Sequence, residues 1–374
     1  MTSSGLSLSQ RFFTDCVEPI IAKQFPNLQF AAALIGDGSE VLGFDTSMST
    51  DHDWGPRLQV FLSEQEFAAV APVLMTALDK QLPETFDGWS VRFGDHDRPS
   101  RNNATGAFGS DHGVELYTVA AWARDHLALT DFLRLTTADW LGCPEQSLLE
   151  ATAGAVFRDD QGELTALRTH LSYYPSDLWL YKLASQWQRI GEEQAFVGRA
   201  GDAGDDLGSR VIAARLVRDV MHLVFLIERR YAPYAKWLGT AFGQLPGSRD
   251  FRDVLARTLS TETWNEREAA LAESYRLAGE LQLARGIPGA IAPAIGAYHD
   301  RPFTVVNADE IASALRAQIT DRDLRTRPLV GAVDQLSDNV SILAHPERAQ
   351  TLTHSFVVSA SVPSTTDQTS VEAS

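Results

Sequence analysis

Asp51 and Asp53 stand one residue apart in the triplet Asp-His-Asp, and Ser39 of a Gly38-Ser39 pair stands twelve residues ahead of the first. Aspartates at i and i+2 of an extended segment point to the same face. Two carboxylates on one face offer the hard oxygen ligands that magnesium prefers. Phosphoryl transfer uses such ions to neutralise a triphosphate and to orient in-line attack. A Gly-Ser pair after a strand lets backbone N–H groups and a hydroxyl approach a phosphate closely. Gly43 then permits the return turn. The loop therefore reads as a phosphate cradle at one end and a metal-ligand pair at the other. The competing reading is a solvated turn with Asx caps. His52 reads as a structural imidazole held by a hydrogen bond. Asp95 and Asp97 form a second Asp-x-Asp, but no Gly-Ser precedes them, so they read as surface charge.

The flanking pattern supplies elements that can position these groups. Residues 7–24 carry apolar side chains at helical spacing, with Pro19 as a kink. Residues 28–36 form a short apolar run ending in glycine, which predicts a buried strand. Residues 57–63 alternate with period two, as a half-buried strand does. A helix is expected over 64–82 and strands over 89–94 and 112–122, the second running into a helix. A polar loop rich in turn formers separates those two strands. The result is a small mixed α/β sheet.

The second half reads as mostly helical. Residues 155–168 suggest a hairpin turning at Asp160-Gln161-Gly162. A helix starts at Ser176 after Pro175 and carries Trp179, Leu183, Trp187 and Ile190 on one stripe. Residues 205–231 are apolar nearly all round, which places that helix at the centre of a bundle. Further helices are expected over 233–245, twice within 249–284, and over 307–319 with Asn307 as cap. From His354 onward little remains to pack, so a disordered tail is expected. The expected class is α+β, with a mixed α/β domain over 1–140, a helical domain over 141–353 and a tail over 354–374.

Composition limits the partners. The 374 residues carry a net charge of −17. That field repels phosphate backbones and anionic membranes, so no nucleic-acid or membrane partner is expected. The two cysteines, Cys16 and Cys143, form neither a disulfide framework nor a zinc set and fit a reducing cytosol. No signal peptide and no membrane span are expected. The expected location is cytoplasmic.

The spacing Gly38-Ser39, then Asp51-x-Asp53, resembles the signature of the nucleotidyltransferase superfamily, which has the DNA polymerase beta-like fold. The longer run GSEVLGFDTSMSTDHDWGPRLQVFL, with QAFVGRAGDAGDDLGSR and RRYAPYAKWLGTAF downstream, resembles bacterial proteins grouped as domain of unknown function 4037. This fuller resemblance spans residues 30–285. It implies an N-terminal nucleotidyltransferase domain and a helical domain that closes over the cleft. His52 departs from the family pattern, where the residue between the aspartates is usually apolar. The family's third carboxylate lies on a later strand, and Glu115 in HGVELYTV is the candidate, with Val114 and Leu116 on the opposite face. An acidic residue in such a run is costly unless paired or metal-bound; an exposed edge-strand position is the alternative.

The helical half should contribute nucleotide contacts. Arg218 falls on the stripe Leu207, Val211, Ala214, Met221 and Phe225, and needs either a triphosphate or a carboxylate such as Asp206. Lys236, between Tyr234 and Trp237, resembles the family lysine that touches the triphosphate; a surface lysine is the alternative. Arg210 and Asp205 are weaker candidates. The implied activity is magnesium-dependent transfer of a nucleoside monophosphate from an NTP, ATP in the first instance, to a hydroxyl of a small-molecule acceptor. Asp51, Asp53 and Glu115 would be the catalytic and metal-binding set, and Gly38, Ser39, Lys236 and Arg218 the nucleotide contacts. The alternatives are a protein-modifying enzyme that adds AMP to side chains, and a non-catalytic NTP-binding regulator.

Overall fold

In the computed structural model the N-terminal segment is helical but changes pitch before its proline. Helix α1 (Gly5–Phe12) passes through a π-helical turn (Phe13–Val17) into α2 (Glu18–Gln24). Pro19 lacks the N–H that would bond back to the preceding turn, and the widened turn lies at that gap. The structure describes residues 5–46, 49, 54–93 and 111–359. Asp51, His52, Asp53, Asp95 and Asp97 lie outside them.

Strand β1 (Phe30–Leu34) leads into the short helix α3 (Ser39–Leu42), and β2 (Leu58–Leu62) into α4 (Glu64–Gln81). Ser63 starts α4 by accepting the Glu66 N–H on its side chain. A small hairpin, β3 (Thr85–Phe86) and β4 (Trp89–Ser90), precedes β5 (Val114–Tyr117) and α5 (Val119–Leu127). Then come α6 (Thr137–Gly142), α7 (Glu145–Thr152), β6 (Ala155–Asp159) and α8 (Glu163–His170).

The main sheet has the order β5-β2-β1-β6. β1 runs antiparallel to β2 and β6, and β2 runs parallel to β5. This is the mixed sheet expected, with two differences in membership. Of the strand expected over 89–94, Trp89 and Ser90 are in strand, and they pair with β3 outside the main sheet. The hairpin expected over 155–168 is instead an edge strand followed by a helix. Asp159 decides this: its carboxylate accepts the N–H groups of Gly162 (3.0 Å) and Thr165 (2.8 Å), which turns the chain into α8.

Both faces of the sheet are covered. Ala32, Val60, Leu62, Val114 and Leu116 pack against α1, α2 and α4 through Phe12, Phe13, Val17, Leu74 and Leu78. Ala31, Ala33, Phe61 and Tyr117 face the other way and join Trp122, Leu148, Leu164 and the helical core. β2 is thus buried throughout, where alternation suggested half-burial, because helices lie on both sides.

The helical half continues through α9 (Ser176–Glu193), α10 (Phe196–Asp202), α11 (Asp206–Ile227), α12 (Ala235–Phe242), α13 (Arg249–Ser260) and α14 (Trp264–Ala284). A hairpin, β7 (Ile295–Tyr298) and β8 (Arg301–Val306), precedes α15 (Ala308–Arg316), α16 (Arg322–Thr326), α17 (Val333–Leu336), α18 (Val340–Leu343) and α19 (Pro346–Ser359). Trp187 and Ile190 are buried as the stripe on α9 requires, and the Trp187 indole donates to Gln282 on α14 (2.9 Å). α11 is not apolar all round in its packing: Leu207 is 74% exposed and Val211 62%, and the buried face lies mostly further along. α19 is still helical to Ser359, so the tail expected from His354 begins inside a helix; 360–374 lie outside the described residues.

One buried ion pair ties these helices together. Lys182 on α9 reaches Glu145 Oε1 at the start of α7 (2.7 Å) and donates to the Tyr174 hydroxyl (2.9 Å). Glu145 Oε2 accepts the Ala232 N–H (2.8 Å). Removing one partner strands the other charge away from water. Lys182→Met is therefore expected to lower the unfolding free energy by about 3–5 kcal/mol. Adding Glu145→Leu should recover most of that. Urea titration of the full chain checks both, and an unshifted midpoint for the single variant would contradict the account.

Candidate functional site

Gly38 sits where β1 has ended and α3 begins, with φ of +134°, a backbone conformation that L side chains rarely adopt. The loop folds back on itself: Leu42 N–H bonds to the Gly38 carbonyl (3.3 Å) and Phe44 N–H to the Ser39 carbonyl (2.8 Å). Gly43, left-handed at φ +74°, ends the helix. Helix α7 and the turn that follows it brace the loop at two points. Gly36 N–H bonds to the Glu150 carbonyl (3.0 Å), and Gly154 N–H to the Val41 carbonyl (3.0 Å).

Glu115 enters from the sheet. β2 and β5 pair in parallel with Gln59 opposite Glu115. Because side chains alternate along a strand, both lie on the face opposite Val114 and Leu116. The Gln59 amide donates to Glu115 Oε2 (3.4 Å), and its carbonyl accepts the Ile35 N–H (3.2 Å) at the entry to the Gly38-Ser39 loop. One glutamine thus links the candidate carboxylate to the loop. Burial pushes the Glu115 carboxyl above the usual carboxylate range and Asp37 adds to this, while Arg57 and Gln59 pull the other way.

Arg57 is the residue that sequence reasoning missed. Its side chain is buried at the start of β2, with Nε and Nη2 both donating to Glu40 Oε1 (2.9 and 2.6 Å) and Nη2 also to the Asp37 carbonyl (2.5 Å). Burial disfavours the charge, but Glu40, with Glu115 and Asp37 further off, holds the guanidinium above its ordinary value. The signal was present: an arginine and a glutamine at alternate positions of an otherwise apolar strand. A local pattern does not say that either is buried.

The two helical candidates part company. Lys236 is exposed at the start of α12, 5.0 Å from the centre of the Trp237 ring. Trp237 in turn stacks on Phe44, directly after Gly43 (5.2 Å, 24°). Tyr234 N–H bonds to Gln146 on α7 (2.9 Å), so the helix that braces the loop also holds the segment carrying Lys236. Arg218 goes elsewhere. It pairs with Asp338 (3.6 Å) and lines a separate small cavity with Glu145, Asp219, His222 and Asp334. There burial pushes the His222 imidazole down to about 4 and the Asp334 carboxyl up to about 7. Asp206 is engaged by Arg210 and Arg267, and Asp205 caps α11 through the Gly208 N–H (2.7 Å). Arg210 and Asp205 are accounted for by these structural bonds.

Among the described residues, no three His, Cys, Asp or Glu side chains are grouped to hold a metal ion. Asp51 and Asp53, which Arg57 follows by a few residues, lie outside the described set.

Residues 140–238 match the family model described as domain of unknown function DUF4037. This stretch contains α7, the braces on the loop, and the start of α12. No curated protein matches the chain. Among solved structures, a nucleotidyltransferase-like protein from Exiguobacterium sibiricum 255-15 is similar at 12% identity, over 78% of this chain and 82% of that one, with a TM-score of 0.32. A superposition that loose transfers no residue assignment.

Proposed function

We propose that the protein transfers a nucleoside monophosphate from an NTP to a hydroxyl group of a small-molecule acceptor. ATP is the nucleotide to test first. The observation that carries this reading is the link, through Gln59 and Arg57, of the Gly38-Ser39 loop to Glu115 and to the strand start that follows Asp51-x-Asp53. Through these bonds Glu115 is tied to the entry of the Gly38-Ser39 loop, which supports reading the loop and that carboxylate as parts of one site.

Gly38 and Ser39 would hold the β- and γ-phosphates, and Lys236 would close on them from α12. Asp51, Asp53 and Glu115 would hold magnesium; Glu115 is an oxygen donor whose burial disfavours its charge, a condition that a nearby cation relieves. When bound, that ion supplies charge neutralisation along the triphosphate. The acceptor oxygen attacks the α-phosphorus, the bond from that phosphorus to the β-bridging oxygen breaks, and pyrophosphate leaves. The hydroxyl proton passes to Glu115 if that carboxylate serves as base; if it serves instead as the third metal ligand, the proton goes to solvent. Arg218 is left out of this set, because its guanidinium pairs with Asp338, the carboxylate partner of its alternative reading. The acidic net charge favours a small, cationic acceptor over a polyanion; an aminoglycoside-like compound is an analogy from fold resemblance alone.

The test is incubation of the full chain with magnesium, labelled NTPs and a metabolite extract. Pyrophosphate and a labelled small molecule support the reading. Label on protein points to the protein-modifying alternative. Tight NTP binding without pyrophosphate points to a regulator. Lys236→Ala should weaken NTP binding by roughly 1.5–3 kcal/mol, the worth of a hydrogen bond to a charged group. Unchanged affinity by calorimetry would return Lys236 to the surface.

A further inference from the structure

We propose that Arg57 is the positioning residue of this site: clamped by Glu40 and the Asp37 carbonyl, it fixes the Gly38-Ser39 loop against the strand start that follows Asp51 and Asp53. The proposal rests on the nucleotidyltransferase reading above. The two halves of the motif must grip one triphosphate, yet they are joined through a long polar loop. Arg57 bonds to the first half from a position that follows the second in the chain. Its backbone belongs to the approach to β2, four residues after Asp53. Its guanidinium bonds to the carbonyl of Asp37, two residues before Ser39, and to Glu40, directly after Ser39.

Glycines from three separate segments leave room for this pair. A Cβ on Gly38 would lie 2.2 Å from Arg57 Nη2 and 2.7 Å from Glu40 Oε2. A Cβ on Gly113, beside β5, would meet the Phe93 ring and the Pro56 carbonyl (both 2.6 Å) and then the Arg57 Cβ (2.9 Å), so this glycine lets the backbone around Arg57 pack close to β5. A Cβ on Gly5, at the start of α1, would lie 2.8 Å from the Glu40 Cβ. The Gly5 N–H is also tied to Asp45 (3.0 Å), just beyond the loop. A buried ion pair that served only stability would be weak evidence of anything, since apolar residues of similar size often do as well. This pair does something apolar residues cannot. The planar guanidinium fork makes two directed bonds to Glu40 Oε1 and one to the Asp37 carbonyl, and that last bond sets the position of a backbone group in the loop.

That difference is the test. The dissociation constant of an ATP analogue with a methylene bridge between the α- and β-phosphates is measured with magnesium by calorimetry, beside the thermal midpoint, for the full chain. Glu40→Leu/Arg57→Met is expected to restore most of the midpoint lost in Arg57→Met alone. Its nucleotide affinity is expected to stay roughly tenfold to hundredfold below wild type, the worth of one or two misplaced charged hydrogen bonds. Arg57→Lys keeps the charge without the fork and is expected to show the same loss in affinity with a smaller loss of midpoint. A folded double variant that binds as wild type overturns the proposal. If the double variant does not fold, wild-type affinity in Arg57→Lys overturns it instead. If the wild-type chain does not bind the analogue, the nucleotidyltransferase reading fails and this proposal falls with it.

Discussion

Asp51→Asn and Asp53→Asn are each expected to abolish magnesium-dependent pyrophosphate release while leaving the thermal midpoint nearly unchanged. An amide oxygen is a far poorer ligand than a carboxylate for a hard divalent cation. Without the ion, the triphosphate loses its charge neutralisation and its in-line orientation. Stability should not suffer, because taking a negative charge out of a set of carboxylates relieves repulsion. The measurement is turnover against magnesium concentration, with the melting curve as control. Wild-type turnover in either variant at saturating magnesium would sink the metal assignment.

Glu115→Gln should cut turnover by ~10²–10⁴, the usual worth of positioned acid–base catalysis. NTP binding should be largely kept. Size and hydrogen bonding are preserved, and the glutamine can still meet Gln59 across the β2–β5 pair. What is lost is the oxygen that accepts the proton. If Glu115 acts mainly as a metal ligand, the same variant should need more magnesium, and added magnesium should recover part of the rate. β5 is an edge strand of the sheet, as the alternative reading has it, but Glu115 is half-buried there and bonds to the buried Gln59, which also holds the loop entry. A flat, wild-type response in both rate and magnesium requirement would remove Glu115 from the site.

The amino-acid sequence by itself determined the local pieces. Gly38 and Gly43 specify the tight turn after β1, because backbone freedom belongs to the residue itself. The apolar run at 28–36 and the alternation at 57–63 specify strands, realised as β1 and β2, and Trp187 and Ile190 specify the buried face of a helix, because side-chain periodicity is also local. Tertiary structure alone decided the partners. Residues 155–159 join β1 as an edge strand instead of forming a hairpin, because Asp159 spends its carboxylate on the turn into α8. Arg218 goes to Asp338 and a separate cavity, although its helical stripe pointed equally well to a triphosphate. Arg57 becomes a buried clamp, because Glu40 and the Asp37 carbonyl meet it only when β1 and β2 pair antiparallel. A charge in a sequence has no burial until distant segments enclose it, and burial is what turns a surface arginine into a fixed point of the site.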